Sequence, residues 1–174
     1  MPRIAYFDFD TAPPEVQAAY DARLTADGHV TNMKKTLLGN LPAYHALMEW
    51  FPLREEALKF ITEREVNLFC HAISTENQCL LCSTFFRRIL IEAGENPDEL
   101  ALNDREQVLV EFGQATAAKP AVVSDGLFTR LRGFFTEEQV VALTAFAGLM
   151  IATNLINTVL DVELDDDILS YSRR

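Results

Sequence analysis

Apolar residues recur at helical spacing through most of the chain. From Val66 onward, Phe69, Cys70 and Ile73 follow at the i+3, i+4 and i+7 positions, so the four share one helix face. No strand-rich segment stands out. Similar apolar stripes run through the other predicted helices: Val16, Ala19, Tyr20 and Leu24; Tyr44, Leu47, Met48 and Phe51; Val108, Leu109, Phe112 and Ala115; Leu127, Phe128 and Leu131. The pattern predicts an all-α chain of about seven or eight helices.

Local signals place several helix ends. Thr62 and Glu65 form the Thr-x-x-Glu pattern of a capping box, which predicts that a helix begins just after Thr62. Pro42 is expected to begin an earlier helix. Pro52 is expected to end or kink that helix, because proline lacks an N–H group and clashes with the preceding turn. A separate turn is then expected from Leu53 to Ile61.

One stretch, Gln139 to Leu160, is uncharged and long enough to span a bilayer. Acidic residues flank it on both sides. Polar residues also lie along it: Thr144, Thr153, Asn154, Asn157 and Thr158. A helix buried in a helical core or an oligomer interface explains these features better than a membrane span. We therefore expect no membrane partner.

The composition is that of a globular protein. The chain has 174 residues, of which 49% are hydrophobic and 24% charged, so a single domain over residues 1–174 is expected. Its parts are an N-terminal arm and helix (1–40), a core (41–160) and an acidic tail (161–174), with Asp161 to Asp167 expected to be solvated. The net charge of −11 repels nucleic-acid backbones, so we expect no nucleic-acid partner.

The number of cysteines and the first residues of the chain indicate the cellular compartment of the protein. Residues Met1 to Asp8 lack the long apolar run and small-residue cleavage site of a signal peptide, so none is expected. Three cysteines, an odd number, do not suggest a secreted disulfide framework. We expect a cytoplasmic protein, in which a Cys-x-x-Cys pair is normally reduced and redox-active.

Two of the cysteines form the sequence Cys79-Leu-Leu-Cys82 at the start of a predicted helix that runs from about Gln78 to Ala93. Unpaired N–H groups and the helix dipole stabilise a thiolate at such a position. Residues three apart share a face, so the pair can form a disulfide with little backbone movement. Cys70 lies on an apolar stripe and is interpreted as a packing residue. His71 would add a third soft ligand, but no second Cys-x-x-Cys is present, and we predict no metal site.

Together these residues resemble the alkylhydroperoxidase D / carboxymuconolactone decarboxylase family. The resemblance covers roughly residues 40 to 160. The matching positions are Arg64-Glu65-Val66, the pair Cys79 and Cys82, Ala93-Gly94, the segment from Phe135 to Thr144, and Asn154. The resemblance implies an AhpD-like helical fold with a central CxxC helix, and a homo-oligomer that is a dimer, trimer or hexamer.

The resemblance also implies an activity and a partner. In the peroxidase-like members, the second cysteine (here Cys82) attacks the peroxide as a thiolate. The first, Cys79, resolves the product and exchanges with a dithiol reductant protein. The helix dipole by itself favours Cys79 as the lower-pKa thiol, because Cys79 is nearer the helix start. The roles of the two cysteines therefore stay open. No cofactor is implied.

Two positions depart from the family pattern. The family histidine, four residues past the second cysteine, is Phe86 here, and the family glutamate, twelve residues before the first cysteine, is Asn67. Glu65 matches that glutamate only if the intervening turn is two residues longer. A thiol nucleophile needs a base to accept its proton. We hypothesise that His71 is this base, helped by Glu65 or Glu63.

The predicted catalytic residues are thus Cys79, Cys82, His71 and Glu65. The function they predict is reduction of hydroperoxides through a thiol pair. Two alternatives remain from other classes: a carboxymuconolactone decarboxylase-like enzyme, and a non-catalytic oligomeric ligand-binding member of the family. Thiol reactivity distinguishes the first function from both alternatives.

Overall fold

The structure is a computed structural model that describes residues 2–173. Within this range it contains nine α-helices, two 3₁₀ helices and no strand. The α-helices are α1 (Pro14–Asp27), α2 (Asn32–Leu37), α3 (Leu41–Met48), α4 (Trp50–Ala57), α5 (Glu63–Glu76), α6 (Leu80–Glu92), α7 (Asp104–Ala117), α8 (Asp125–Arg132) and α9 (Glu137–Val159), and the 3₁₀ helices span Phe9–Thr11 and Asp166–Tyr171. The all-α prediction is confirmed. The predicted number of helices was slightly low.

Two helices, not a helix and a turn, occupy the region around Pro52. Helix α3 ends at Met48 and α4 begins at Trp50, so Pro52 lies in the first turn of α4. Proline is tolerated there because first-turn N–H groups have no partner within the helix. The expectation that Pro52 ends or kinks the preceding helix is therefore wrong.

Helix α5 lies at the centre of the fold, in contact with α6, α7 and α9. Phe69 of α5 is fully buried and packs against Phe112 of α7 and Phe146 of α9, with ring centroids 6.1 Å and 6.3 Å apart. Gly113 lets α7 approach closely, because a Cβ at that position would lie 3.0 Å from the Phe69 ring. These contacts fix α5, which leads at its C-terminal end into Cys79.

Helix α9 has one buried and one exposed face. Phe146 and Met150 are buried in the core, whereas Val141 and Leu155 are 69% and 59% exposed. Within the described residues, α9 alone is long and apolar enough to cross a membrane, and 39% of its most apolar window is buried. The buried face agrees with the predicted core helix. The homo-oligomer and the absence of a membrane partner stay predictions.

The acidic tail packs against the core. Val162 and Ile168 are both buried, and the 3₁₀ helix Asp166–Tyr171 lies against α6. Asp165 is half-buried and accepts a hydrogen bond from the backbone N–H of Asn32 at 2.7 Å. The expected solvation of segment 161–167 holds for Asp161, Glu163, Asp166 and Asp167, which are exposed, whereas the buried Val162 and the half-buried Asp165 anchor the segment.

The close packing of α5 and α7 gives a prediction about stability. Gly113→Ala should lower the free energy of unfolding by about 1–3 kcal/mol through overpacking, even though alanine favours a helix by about 1 kcal/mol relative to glycine. The added methyl group would lie 3.0 Å from Phe69 and 3.2 Å from Ile73, both fully buried. Urea denaturation followed by circular dichroism measures the change.

Gly126→Ala in α8 is the matched control. A Cβ at Gly126 meets nothing within 4 Å, so this substitution should leave stability unchanged or raise it slightly. Equal effects of the two substitutions would contradict the close approach of α5 and α7.

Candidate functional site

Cys79 lies at the junction between α5 and α6. Its backbone N–H donates to the carbonyl oxygen of Ser74 at 3.0 Å, and the N–H of Gln78 donates to that of Thr75, also at 3.0 Å. This pair of hydrogen bonds is the Schellman motif that closes α5. Cys79 is also the N-cap of α6, since its sulfur accepts a hydrogen bond from the backbone N–H of Cys82 at 3.4 Å. One residue thus ends one helix and begins the next.

The backbone around Cys79 is strained. Gln78, directly before it, has a φ of 55°, and Asp161, two residues after the end of α9, has a φ of 52°. A left-handed conformation costs a residue other than glycine roughly 1–2 kcal/mol. Asp161 lines a crevice that Cys79 also lines. Gln78 and Asp161 each follow the C-cap of a helix, where the left-handed conformation is common.

Cys79 and Cys82 are free thiols, only 1% and 3% exposed. They are hydrogen-bonded to each other, and this contact moves their pKa values in opposite directions. The hydrogen bond from Cys82 lowers the pKa of Cys79 to about 7 despite burial, with help from the Cys82 backbone N–H and the Thr158 hydroxyl. The same contact, together with burial, raises the pKa of Cys82. Near pH 7 about half of the Cys79 thiols are therefore ionised, while Cys82 keeps its proton.

Helix α9 supplies polar side chains around the pair. Asn157 Nδ2 donates to Cys82 Sγ at 3.1 Å. Asn154, three residues earlier, accepts a hydrogen bond from Ser74 Oγ at 3.4 Å and links α9 to the end of α5. The sequence analysis used Asn154 as a position of the family resemblance, and Asn157 and Thr158 only as evidence against a membrane span. Their i, i+3 and i+4 spacing on an otherwise apolar helix places them on one face, and this was the available signal.

The pair separates two cavities. The first, which we call the polar crevice, has a volume of about 430 Å³ and is lined by Cys79, Leu80, Leu81, Asn157, Thr158, the segment 161–164, Asp166 and Leu169. The second, which we call the apolar cavity, has a volume of about 310 Å³ and is lined by Cys82 and by four aromatic residues, Trp50, Phe51, Phe85 and Phe86, among others. The two cysteines thus line different cavities.

Glu65 lies at the opposite end of α5 from the thiols. Its carboxylate accepts a hydrogen bond from the N–H of Thr62 at 2.7 Å, in the predicted capping box, and pairs with Arg105 at 3.0 Å. At 1.5 Å per residue, Glu65 is about 16 Å from the end of α5. Glu63 is at the same far end and pairs with Arg54. The structure therefore does not bring either carboxylate to the thiols, because both serve the start of the helix.

His71 lies in α5, half-buried, and in the described residues no hydrogen bond joins it to either thiol. Burial, with the nearby charges of Arg87 and Arg173, lowers the pKa of His71 to about 4. A histidine with this pKa is neutral at pH 7 and is a weak base. The structure thus brings Cys79 and Cys82 together and gives His71 surroundings that do not suit the hypothesised proton acceptor.

The third cysteine is outside this constellation. Cys70 is fully buried, and burial raises the pKa of its thiol far above the usual range. These surroundings agree with the packing role expected from its apolar stripe. In residues 2–173, no group of three or more His, Cys, Asp or Glu side chains is arranged to hold a metal ion.

Several solved structures share this fold over nearly the whole chain. An uncharacterized peroxidase-related protein from Ralstonia eutropha JMP134, described as an alkylhydroperoxidase AhpD core, superposes with a TM-score of 0.77 at 19% identity, covering 96% of this chain and 94% of that one. Debrominase Bmp8 in its apo form gives a TM-score of 0.76 at 17% identity, covering 95% and 94%. A peroxidase-related protein from Silicibacter sp. TM1040 gives 0.72 at 16% identity, covering 94% and 93%.

Neither models of known families nor curated proteins match the sequence. The structural likenesses establish that the chain has the AhpD-like helical fold, so the resemblance seen in the sequence is confirmed at the level of the fold. At these identities the likeness does not extend to a substrate.

The environment of His71 gives a prediction with two readouts. His71→Gln should leave the rate of thiol alkylation by iodoacetamide at pH 7 unchanged, because a neutral, weakly basic imidazole takes no proton from the pair. The substitution should also reduce the loss of folding stability at acidic pH. The pKa is lowered from 6.5 to about 4 on folding, so the unfolded chain binds the proton first and stability is lost as the pH falls from 6.5 towards 4.

This loss in the native protein should be at most about 3 kcal/mol, measured as the difference in unfolding free energy between pH 7 and pH 4.5. The exposed His45 provides the control, since His45→Gln should change neither readout. A tenfold slower alkylation of the His71→Gln variant would reinstate His71 as the base.

Proposed function

We propose that the protein is a thiol-dependent peroxidase and disulfide oxidoreductase that reduces hydroperoxides through Cys79 and Cys82. The observation that carries this proposal is a pair of buried free thiols at the start of α6, in which the backbone N–H of Cys82 donates to Cys79 Sγ at 3.4 Å and the pKa of Cys79 is lowered to about 7. A thiolate is the nucleophile in thiol chemistry, and a second thiol in contact with it can resolve the product. The shared fold with proteins described as peroxidase-related supports the proposal.

The reaction proceeds in two steps. The Cys82 thiolate attacks the terminal oxygen of the hydroperoxide and the O–O bond breaks. The alkoxide leaves and takes from Cys79 the proton that Cys79 accepted from Cys82, which gives the alcohol and restores the Cys79 thiolate, while Cys82 becomes a sulfenic acid. The Cys79 thiolate then attacks the Cys82 sulfur, which forms the disulfide and releases hydroxide, protonated to water. Two electrons pass from the thiols to the peroxide, and an external dithiol restores them.

The pair itself supplies the proton acceptor. The Cys79 thiolate accepts the hydrogen bond of the Cys82 thiol, so it is positioned to take that proton when Cys82 attacks. Asn157 Nδ2, 3.1 Å from Cys82 Sγ, then stabilises the thiolate formed there. This relay needs no third base. It fits a chain that has Phe86 in place of the family histidine and in which His71 is a weak base.

The position of Cys82 favours organic hydroperoxides over hydrogen peroxide. The apolar cavity that Cys82 lines has a volume of about 310 Å³ and several aromatic walls. An alkyl or aryl group buried there gains roughly 25 cal/mol per Å² of apolar surface. Hydrogen peroxide has no apolar group and gains nothing from this cavity.

Reductive dehalogenation of an aromatic compound is a second candidate, favoured by the aromatic walls beside Cys82. A cysteine-to-alanine variant of debrominase Bmp8 in complex with 2,3,4-tribromopyrrole has this fold, with a TM-score of 0.74 at 17% identity over 97% of this chain and 94% of that one. In this chain, Cys79 and Cys82 would give up two electrons and form a disulfide. A carbon–halogen bond would become a carbon–hydrogen bond, and halide and a proton would leave.

The remaining alternatives are a carboxymuconolactone decarboxylase-like enzyme and a non-catalytic ligand-binding protein. Neither requires a thiol held as a thiolate near neutral pH, so neither accounts for the lowered pKa of Cys79. We place the protein in the cytoplasm, where cellular reductants keep such a pair reduced. Its electron donor in this proposal is a dithiol protein.

Single cysteine variants test the proposed roles. Cys79→Ser should accumulate a sulfenic acid on Cys82 after treatment with cumene hydroperoxide, because the resolving thiol is missing. Its oxidation should be about 100-fold slower than in the native protein, because the proton acceptor is lost as well. Cys82→Ser should abolish turnover. Labelling with dimedone followed by mass spectrometry locates the sulfenic acid, and peroxide consumption measures turnover.

Cys70→Ala is the control, since Cys70 is buried and outside the pair, and it should keep the native rate of peroxide reduction. A sulfenic acid on Cys79 of the Cys82→Ser variant, with none on Cys82 of the Cys79→Ser variant, would reverse the two roles. If tribromopyrrole rather than the peroxide oxidises the pair, the second candidate replaces the first.

A further inference from the structure

Two pairs of aromatic rings line the apolar cavity beside Cys82. Trp50 and Phe51 come from α4, and their ring centroids are 5.1 Å apart at an interplanar angle of 86°. Phe85 and Phe86 come from α6, with centroids 5.2 Å apart at 87°. Both pairs have the edge-to-face geometry that aromatic rings prefer. Phe86 also follows Cys82 by about one helical turn, so this ring and the thiol share a face of α6.

Methionine side chains supply much of the remaining apolar lining. The chain has four methionines, and three of them line this cavity: Met33, Met48 and Met150. The aliphatic residues of the lining are Leu47 and Leu81. A thioether sulfur makes favourable contacts with aromatic rings, and methionine adapts its shape to a ligand. Rings and thioethers thus form most of the apolar wall, and both are suited to contact with another ring.

The charged residues of the lining already have partners within the protein. Lys34 pairs with Asp27, and Arg88 pairs with Asp167. Asp165 accepts a hydrogen bond from a backbone N–H at 2.7 Å. An ionised ligand that entered would lose its hydration and meet charges that are already paired. The lining therefore favours an uncharged occupant.

The volume of the cavity limits the size of this occupant. About 310 Å³ lies at the lower end of the range found for ligand pockets. A single ring with short substituents suits such a volume better than a long acyl chain does.

We propose that the apolar cavity selects a single uncharged aromatic ring, so that the substrate reduced at Cys82 is an aryl-bearing hydroperoxide rather than an alkyl or fatty-acid hydroperoxide. Phe86, with the methionines of the lining, sets this preference. The substrate class rests on the proposed function, whereas the selection of a ring rests on the cavity. A contact between two aromatic rings raises affinity by a factor of about two to ten beyond the effect of the buried area.

Binding is tested with the alcohols that the reaction would release, because they do not react with thiols. 2-Phenyl-2-propanol carries the aromatic ring, and 2-cyclohexyl-2-propanol is its saturated counterpart. Trp50 is the single tryptophan of the chain and lines the cavity, so its fluorescence reports occupancy. Each Kd is corrected for the partition of the alcohol from water into cyclohexane. The native reduced protein should then bind the aryl alcohol at least about fivefold more tightly.

Substitutions in the lining test which residues set the preference. Phe86→Leu removes a ring but keeps an apolar side chain, and should lower the preference by at least about twofold. Phe128→Leu is the matched control, because it makes the same exchange at an exposed position of α8 and should leave the preference unchanged. Since Phe86 is buried, Met48→Leu at a half-buried position gives a second variant of nearly conserved volume. It should lower the preference by about twofold.

Turnover tests the substrate class. The kcat/KM for cumene hydroperoxide should exceed that for 2-cyclohexyl-2-propyl hydroperoxide by at least about fivefold, after the same partition correction and after division by the rate of each hydroperoxide with a free thiol. The hydroperoxide of linoleic acid should be a poorer substrate than cumene hydroperoxide.

The outcomes separate this inference from the proposed function. Equal corrected affinities for the two alcohols, or a preference that survives both substitutions in the lining, would overturn the selection of a ring and leave the peroxidase proposal standing. A protein that prefers the aryl alcohol yet reduces no hydroperoxide would overturn the peroxidase proposal and, with it, the substrate class. The selectivity of the cavity for an aromatic ring would then still hold.

Discussion

The site depends on the way Cys79 joins two helices. Its backbone N–H completes the hydrogen bonds that close α5, and its sulfur accepts the N–H that begins α6. Burial on its own would raise the pKa of a thiol. The hydrogen bonds at this junction outweigh burial and lower the pKa of Cys79 to about 7. Joining α5 and α6 at Cys79 without a longer loop has a conformational cost, because Gln78 must adopt the left-handed conformation. The atoms of Cys79 that join the two helices therefore also set the reactivity of its thiol.

A helix from the far side of the core completes this arrangement. Helix α9 places Asn157 against Cys82 and Thr158 against Cys79, so each sulfur has its own polar partner. The remaining surroundings differ, with aromatic walls beside Cys82 and carboxylates beside Cys79. Cys79 and Cys82 therefore line different cavities.

The sequence was sufficient for the helices and the Cys-x-x-Cys pair, because helical periodicity and capping are local signals, and the capping box of Thr62 and Glu65 formed as predicted. The proton relay was harder to predict, because it depends on which residues meet across the fold. Glu65 was assigned from its place in a motif, yet helix geometry puts it far from the thiols. The anchoring of the tail was not predicted, because its carboxylates outnumber buried residues such as Val162. No local pattern shows that Asn157 reaches Cys82, seventy-five residues away.

The most direct test of the central claim is a count of thiols before and after one equivalent of cumene hydroperoxide, with mass spectrometry to locate any bridge. If Cys79 and Cys82 form a two-electron pair, the titre should fall from three thiols to one, with a single Cys79–Cys82 disulfide and Cys70 still reduced. Three thiols that persist through the treatment would contradict the claim. The pair would then be a packing feature of the α5–α6 junction.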